Sequence, residues 1–137
     1  MESISRFSVS LDSELLKKFD EQIEHQGYPT RSKAISDLMR ESLVRRQWEE
    51  GEEVAAAIIL VYDHHKHHLS GQLTHVQHHY HDLIVSSQHI HLDADNCLEI
   101  VVVRGKALQV EELAQKLKAV KGVKYSSVAS ASTGKGL

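Results

Sequence analysis

Residues 83–105 read LIVSSQHIHLDADNCLEIVVVRG, and this stretch decides the fold. Leu83 to Asp93 alternates between apolar and polar side chains, the period of a strand with one buried face. Asp93-Ala94-Asp95-Asn96 is turn chemistry, Cys97 to Arg104 is a second strand, and Gly105 breaks it. Two such strands across a short turn predict an antiparallel pair. Moving towards the N-terminus, residues 66–82 suit a helix with Leu69, Leu73, Val76 and Tyr80 on or near one face. Val54 to Tyr62 is an almost wholly apolar, β-prone run. On the other side, Val110, Leu113, Leu117 and Val120 mark an amphipathic helix stopped by Gly122, and Val123 to Ser132 reads as a last strand. The order is βαββαβ, a ferredoxin-like (ACT-like) layout over residues 54–132, followed by a tail at 133–137 expected to fray.

Glu49-Glu50-Gly51-Glu52-Glu53 is acidic and broken by glycine, and reads as a linker over 49–53. Residues 1–48 are different. Phe7, Val9 and Leu11 alternate with Arg6, Ser8 and Ser10, predicting a short strand over 4–11. Asp12 or Ser13 caps a helix whose stripe is Leu15, Leu16, Phe19 and Ile23. Gly27 ends it, and Thr30 is placed to cap a second helix with Ala34, Ile35, Leu38, Met39 and Leu43 on one face. A lone strand has two unpaired edges, and so short a segment buries little core, so pairing with a second copy is the simplest completion. An antiparallel two-stranded ribbon fits the major groove of B-DNA, with Arg6, Ser8 and Ser10 facing the bases. The segment resembles the ribbon-helix-helix DNA-binding family. That resemblance gives base contact to Arg6, Ser8 and Ser10 and phosphate contact to the Thr30 and Arg31 amides at a helix N-terminus. The class is therefore α+β, in two domains.

Composition narrows the function. The chain has 137 residues, a mass of 15.4 kDa and a formal net charge of −3, from 16 Lys and Arg against 19 Asp and Glu. A domain that coats nucleic acid by charge alone is excluded, and contact with DNA must come from charge placement. The single cysteine, Cys97, allows no intrachain disulfide, no apolar run is long enough for a membrane span, and a cytoplasmic protein with no membrane partner is expected. No nucleophile with its base, P-loop or dinucleotide turn is present, so an enzyme is not expected.

One number stands out: ten of the 11 histidines lie between His64 and His91. His89 and His91, two apart on a strand, point the same way and can reach one ion. Cys97 opens the neighbouring strand and can add a thiolate. His75, His78 and His79 share a helical face, and His64, His65, His67 and His68 cluster where the helix is expected to begin. Imidazole and thiolate together suit zinc, nickel or copper, and the residue types alone leave that choice open. A histidine-rich metal buffer and an antitoxin-like DNA-binding protein are the competing readings.

Val76-Gln77-His78-His79-Tyr80-His81-Asp82, Gln88-His89-Ile90-His91-Leu92 and Asp95-Asn96-Cys97-Leu98-Glu99-Ile100 resemble the NikR family of nickel-responsive repressors. The resemblance spans both domains in order. It implies Ni(II) as cofactor, held by His89, His91 and Cys97 of one subunit and His78 of a neighbour. Tyr62 and Glu99 would orient the ligands, with His64 nearby. It implies a homotetramer, a dimer of dimers, on palindromic double-stranded operator DNA, and a phosphate contact from Lys66. Where the family often carries an acidic pair for a weaker interdomain cation, this chain has Lys33 and Asp37. The Lys33 ammonium is expected to stand in for part of that cation and to pair with Asp37. Ser36 likewise stands where a basic residue can occur.

Overall fold

The computed structural model describes residues 3–66 and 68–137. It divides into two compact units, residues 1–41 and 42–137.

In the first unit, Asp12 caps α1 (Ser13–His25), its carboxylate accepting from the Glu14 and Leu15 amides. Gly27, at φ +79°, takes the left-handed turn that an L side chain resists. Thr30 Oγ1 then accepts from the Lys33 amide at 3.1 Å, opening α2 (Arg31–Glu49). α2 runs beyond the first unit, so the compact boundary falls inside a helix rather than at the expected linker. The strand expected over 4–11 is not formed in the single chain: residues 3–12 have no regular secondary structure. The physical reason is that a strand exists only through its ladder partners, and this chain supplies none there. Phe7, Val9 and Leu11 are consequently exposed.

The second unit carries β1 (Glu53–Asp63), α3 (Leu69–His79), β2 (Ile84–His91), β3 (Asn96–Lys106), α4 (Ala107–Lys118) and β4 (Val123–Ala131). The sheet order is β2-β3-β1-β4, and every pairing is antiparallel. This is the expected βαββαβ arrangement. β1 alternates strictly, with Val54, Ala56, Ile58, Leu60 and Tyr62 buried. These side chains meet Val101 and Val103 of β3 and Val110, Leu113 and Leu117 of α4 in one core. A Cβ added at Gly105 would meet the tip of the Leu83 side chain, which would have to shift to make room.

Three local differences matter. The helix expected over 66–82 is shorter. His68 sits at φ +70°, a left-handed residue that delays the helix to Leu69, and residues 80–83 turn instead of continuing it. Lys66 therefore lies in the β1–α3 turn, its amide donating to the Asp63 carbonyl, and the cluster His64, His65 and His68 precedes the helix; His67 lies outside the described residues. α2 and β1 leave only residues 50–52 between them, with Gly51 at φ +70°. The tail, expected to fray, has an anchor: Gln47 donates to the Lys135 carbonyl at 3.2 Å, while just before it the Trp48 indole N–H donates to the carbonyl of Ala131 at the end of β4, at 2.9 Å.

Candidate metal centre

The strand register builds the centre. In β1–β3, Tyr62 is opposite Cys97 and Leu60 opposite Glu99; in β3–β2, Cys97 is opposite His91 and Glu99 opposite His89. One cross-strand row thus carries Tyr62, Cys97 and His91, and the next carries Leu60, Glu99 and His89. The rows are two residues apart, so all six share a face. β2 is an edge strand, which leaves His89 and His91 exposed while Cys97 and Glu99 are buried.

Cys97 Sγ lies 3.2 Å from His64 Nδ1 and 3.5 Å from His91 Nδ1. Among the described residues, His64, His91 and Cys97 are the group whose donor atoms converge, all within 4.8 Å of one another. His64 and His91 meet edge-on, ring centroids 4.8 Å apart. Two borderline imidazoles and a soft thiol in that space fit a nickel-, zinc- or copper-type ion. His64, which the resemblance placed beside the ligands, is the histidine nearest the thiol. It gets there because its backbone amide donates to the Asp95 carbonyl at 3.1 Å, folding the end of β1 over the β2–β3 turn.

His89 is directed differently. Its Nε2 is 2.9 Å from the Tyr62 hydroxyl, and its ring centroid is 6.1 Å from that of His91. Burial, aided by the charges of Glu99 and Cys97, pushes the Tyr62 phenol far above its ordinary value. Tyr62 therefore keeps its proton and can donate to His89. Burial also raises the Cys97 thiol, reinforced by Asp63, Glu99 and Asp93. The metal-free chain holds a neutral thiol, whose proton must leave before sulfur can ligate.

His78 is exposed on α3 and is not part of the converged group. The residue before it in the chain, half-buried Gln77, was given no role by the sequence. The Gln77 amide reaches both oxygens of buried Glu99 at 3.5 Å, tying α3 to β3. The signal was available: a buried carboxylate demands a donor, and Gln77 adjoins a candidate ligand.

In the first unit, Arg6, Ser8 and Ser10 are exposed. The Arg31 guanidinium is occupied, donating to Asp20 at 2.8 and 2.6 Å, so only its amide remains for the expected phosphate contact. Lys33 Nζ does reach Asp37, at 2.7 Å, and Arg40 adds a second contact at 3.4 Å. Hydrogen bonds from Lys33 and then Tyr28 hold Asp37 below its usual carboxylate range.

A ferredoxin-like sheet with imidazole and thiol donors gathered at its edge defines a domain of the transition-metal-binding class. Residues 55–131 match the family model described as the NikR C-terminal nickel-binding domain. Relatives named "Putative nickel-responsive regulator" align over nearly the whole chain. That of Syntrophus aciditrophicus is 48% identical over 134 residues, covering 98% of both chains. That of Geobacter sulfurreducens is 51% identical over 133 residues, covering 96% of both. That of Nitratidesulfovibrio vulgaris is 50% identical with the same coverage, 96% of both. The chain belongs to the nickel-responsive regulator family, and its metal is Ni(II). The fold alone is shared with an uncharacterized protein from Thermotoga maritima, at a TM-score of 0.52 and 14% identity, covering 58% of this chain and 98% of that one.

Proposed function

We propose that the chain is a nickel-dependent transcriptional repressor. In this reading residues 1–48 form a ribbon-helix-helix domain, 49–53 a linker and 54–132 the metal-binding and tetramerisation domain. A cytoplasmic homotetramer, a dimer of dimers, grips a palindromic operator. Arg6, Ser8 and Ser10 read bases, while the Thr30 and Arg31 amides and Lys66 hold phosphates. Lys33 replaces part of the interdomain cation through Asp37. The observation that carries the reading is the convergence of His91 and Cys97 on one sheet face, with His89 two residues away on the same strand.

The ligands in this reading are His89, His91 and Cys97 of one subunit and His78 of another. Bound Ni(II) supplies a positive centre shared by two subunits. Cys97 gives up its proton to ligate. Tyr62 and Glu99 set the orientation of His89 and its strand. Gln77, bonded to Glu99, links the sheet to the helix that presents His78. When His78 is engaged, α3 loses freedom, and the β1–α3 turn with Lys66 is ordered against DNA. Metal and operator affinities must then rise together, because coupling is reciprocal.

The His64 contact favours a second ligand set, His64, His91 and Cys97 within one chain. One experiment separates the two. Metal-free protein is titrated with Ni(II), followed by absorption and by operator footprinting, for the parent and for H64A, H89A, H78A and C97A. The proposal expects a thiolate charge-transfer band lost in C97A and H89A and kept in H64A, with nickel-enhanced operator binding lost in H78A. A band lost in H64A but kept in H89A would establish the second set. Several weakly bound ions without a Cys97-dependent band would instead make the chain a histidine-based buffer.

A further inference from the structure

The end of α2 is fastened to the sheet by more than its chain connection. Gln47 and Trp48, both half-buried, stand in its last turn, within the second unit. The Gln47 side chain uses both of its ends on the segment after β4. Its amide donates to the Lys135 carbonyl at 3.2 Å, and its own oxygen accepts from the Ser132 hydroxyl at 3.4 Å. The Trp48 indole N–H donates to the Ala131 carbonyl, and its ring packs against the core. Main-chain bonds hold the same two residues from the other side. The Gly51 amide donates to the Trp48 carbonyl at 3.3 Å, and the Glu52 amide to the Gln47 carbonyl at 2.9 Å. The Glu52 carbonyl accepts in turn from the Ala107 amide at 3.0 Å, where α4 starts.

Residues 132–135 are shaped for this contact. The ladder of β4 with β1 ends at Ala131, opposite Ala55. Ser132 Oγ accepts from the Gly134 amide at 3.0 Å and Thr133 Oγ1 from the Lys135 amide at 3.4 Å, so two hydroxyls fold the segment back on itself. Gly134 sits at φ +87°, and a Cβ built there meets nothing within 4 Å. Its missing side chain therefore serves the backbone turn and not close packing. The turn brings the Lys135 carbonyl to Gln47.

We propose that residues 132–135 are a strap and Gln47 its anchor, a positioning residue that fixes the last turn of α2 to the end of β4. α2 begins in the first unit, at Arg31, so the strap gives the DNA-reading half a stiff mount. That consequence rests on the repressor reading, whereas the strap itself does not. A protein that grips two half-sites gains affinity from the second grip only when the joint holds its span. Stiffness of the joint sets both that gain and the half-site spacing that is tolerated.

The test uses the full chain, nickel-loaded, as Gln47→Ala, Gly134→Val and the double variant. Valine resists φ +87°, so the second change releases the strap through the backbone alone. Hydrogen exchange is read at the Gly51 and Glu52 amides and, as a control, across β1 and β3. Operator binding is read by footprinting on palindromes with half-sites at their native spacing or moved apart by inserted base pairs. The expected result is faster exchange at Gly51 and Glu52 in each variant, no faster in the double, with β1, β3 and the thiolate band unchanged. Operator affinity should fall about tenfold, and the inserted palindromes should lose less than they do with the parent protein. Unchanged exchange at both amides, additive effects in the double variant, or exchange gained throughout the sheet would overturn the strap. Faster local exchange with the parent's affinity and spacing preference would overturn its positioning role. A parent protein that binds no palindrome would count against the repressor reading alone, with exchange still deciding the strap.

Discussion

The two halves of this chain obey opposite economies of burial. In residues 42–137, β1, β3 and α4 enclose side chains with no solvent exposure at all, including Ile58, Leu60, Val101, Leu113 and Leu117. In residues 1–41, Ile23 and Ala34 alone are buried among the described residues, while Phe7, Val9, Leu11, Leu15 and Met39 lie open. An apolar groove lined by Val9, Leu11, Leu15, Leu16, Phe19 and Ile35 remains in that unit. In the single chain the first half leaves its apolar side chains open, and the second buries a core of its own. The candidate metal centre lies in the half that buries its own core, which brings His64, His91 and Cys97 together, whereas in the repressor reading the other half reads DNA and depends on association.

The largest effect should come from breaking the self-sufficient core. Leu113→Ala removes a fully buried side chain and should cost about 2–5 kcal/mol in chemical denaturation. Leu11→Ala, in the open half, should leave that unfolding transition where it is yet abolish operator binding through loss of the ribbon dimer. Equal destabilisation by both would erase the contrast between the two halves.

Nickel affinity should come next. Burial and neighbouring carboxylates raise the Cys97 thiol, so ligation displaces a proton at neutral pH. Affinity therefore rises with pH and falls on acidification, by up to about tenfold per pH unit for each proton displaced. In C97A the slope measured by isothermal titration calorimetry in several buffers should drop by that one proton. An unchanged slope would mean that sulfur does not ligate.

Asp12→Ala tests whether α1 needs its cap, which bonds the Glu14 and Leu15 amides. The expected cost is about 1 kcal/mol, confined to the first unit and read by hydrogen exchange of α1 amides. The smallest effect should be at Lys33. If its ammonium stands in for a bound cation, operator binding should depend little on potassium at constant ionic strength, and K33Q should make that dependence appear.

The βαββαβ order was legible because Val54–Tyr62 and Cys97–Arg104 are apolar runs bounded by turn residues and Gly122 stands before the last strand, whereas Gly105, read as a break, lies inside β3 opposite Val54. The helix capped by Asp12 was legible for the same local reason. The strand at 4–11 was read from alternation, which reports a preference for one buried face but cannot create the ladder. The start of α3 was misplaced since the left-handed His68 has no glycine to announce it.

Sequence by itself determined which side chains can do metal chemistry here: the alternation of Gln88-His89-Ile90-His91 and the lone Cys97 are local facts, independent of packing. Tertiary structure alone decided how they are arranged. The antiparallel register set Cys97 opposite both Tyr62 and His91. The turn after β1 brought His64 to the thiol, and Tyr62 engaged His89. The His64–Cys97 contact alone joins residues 33 positions apart, a separation that only the closed sheet can bridge.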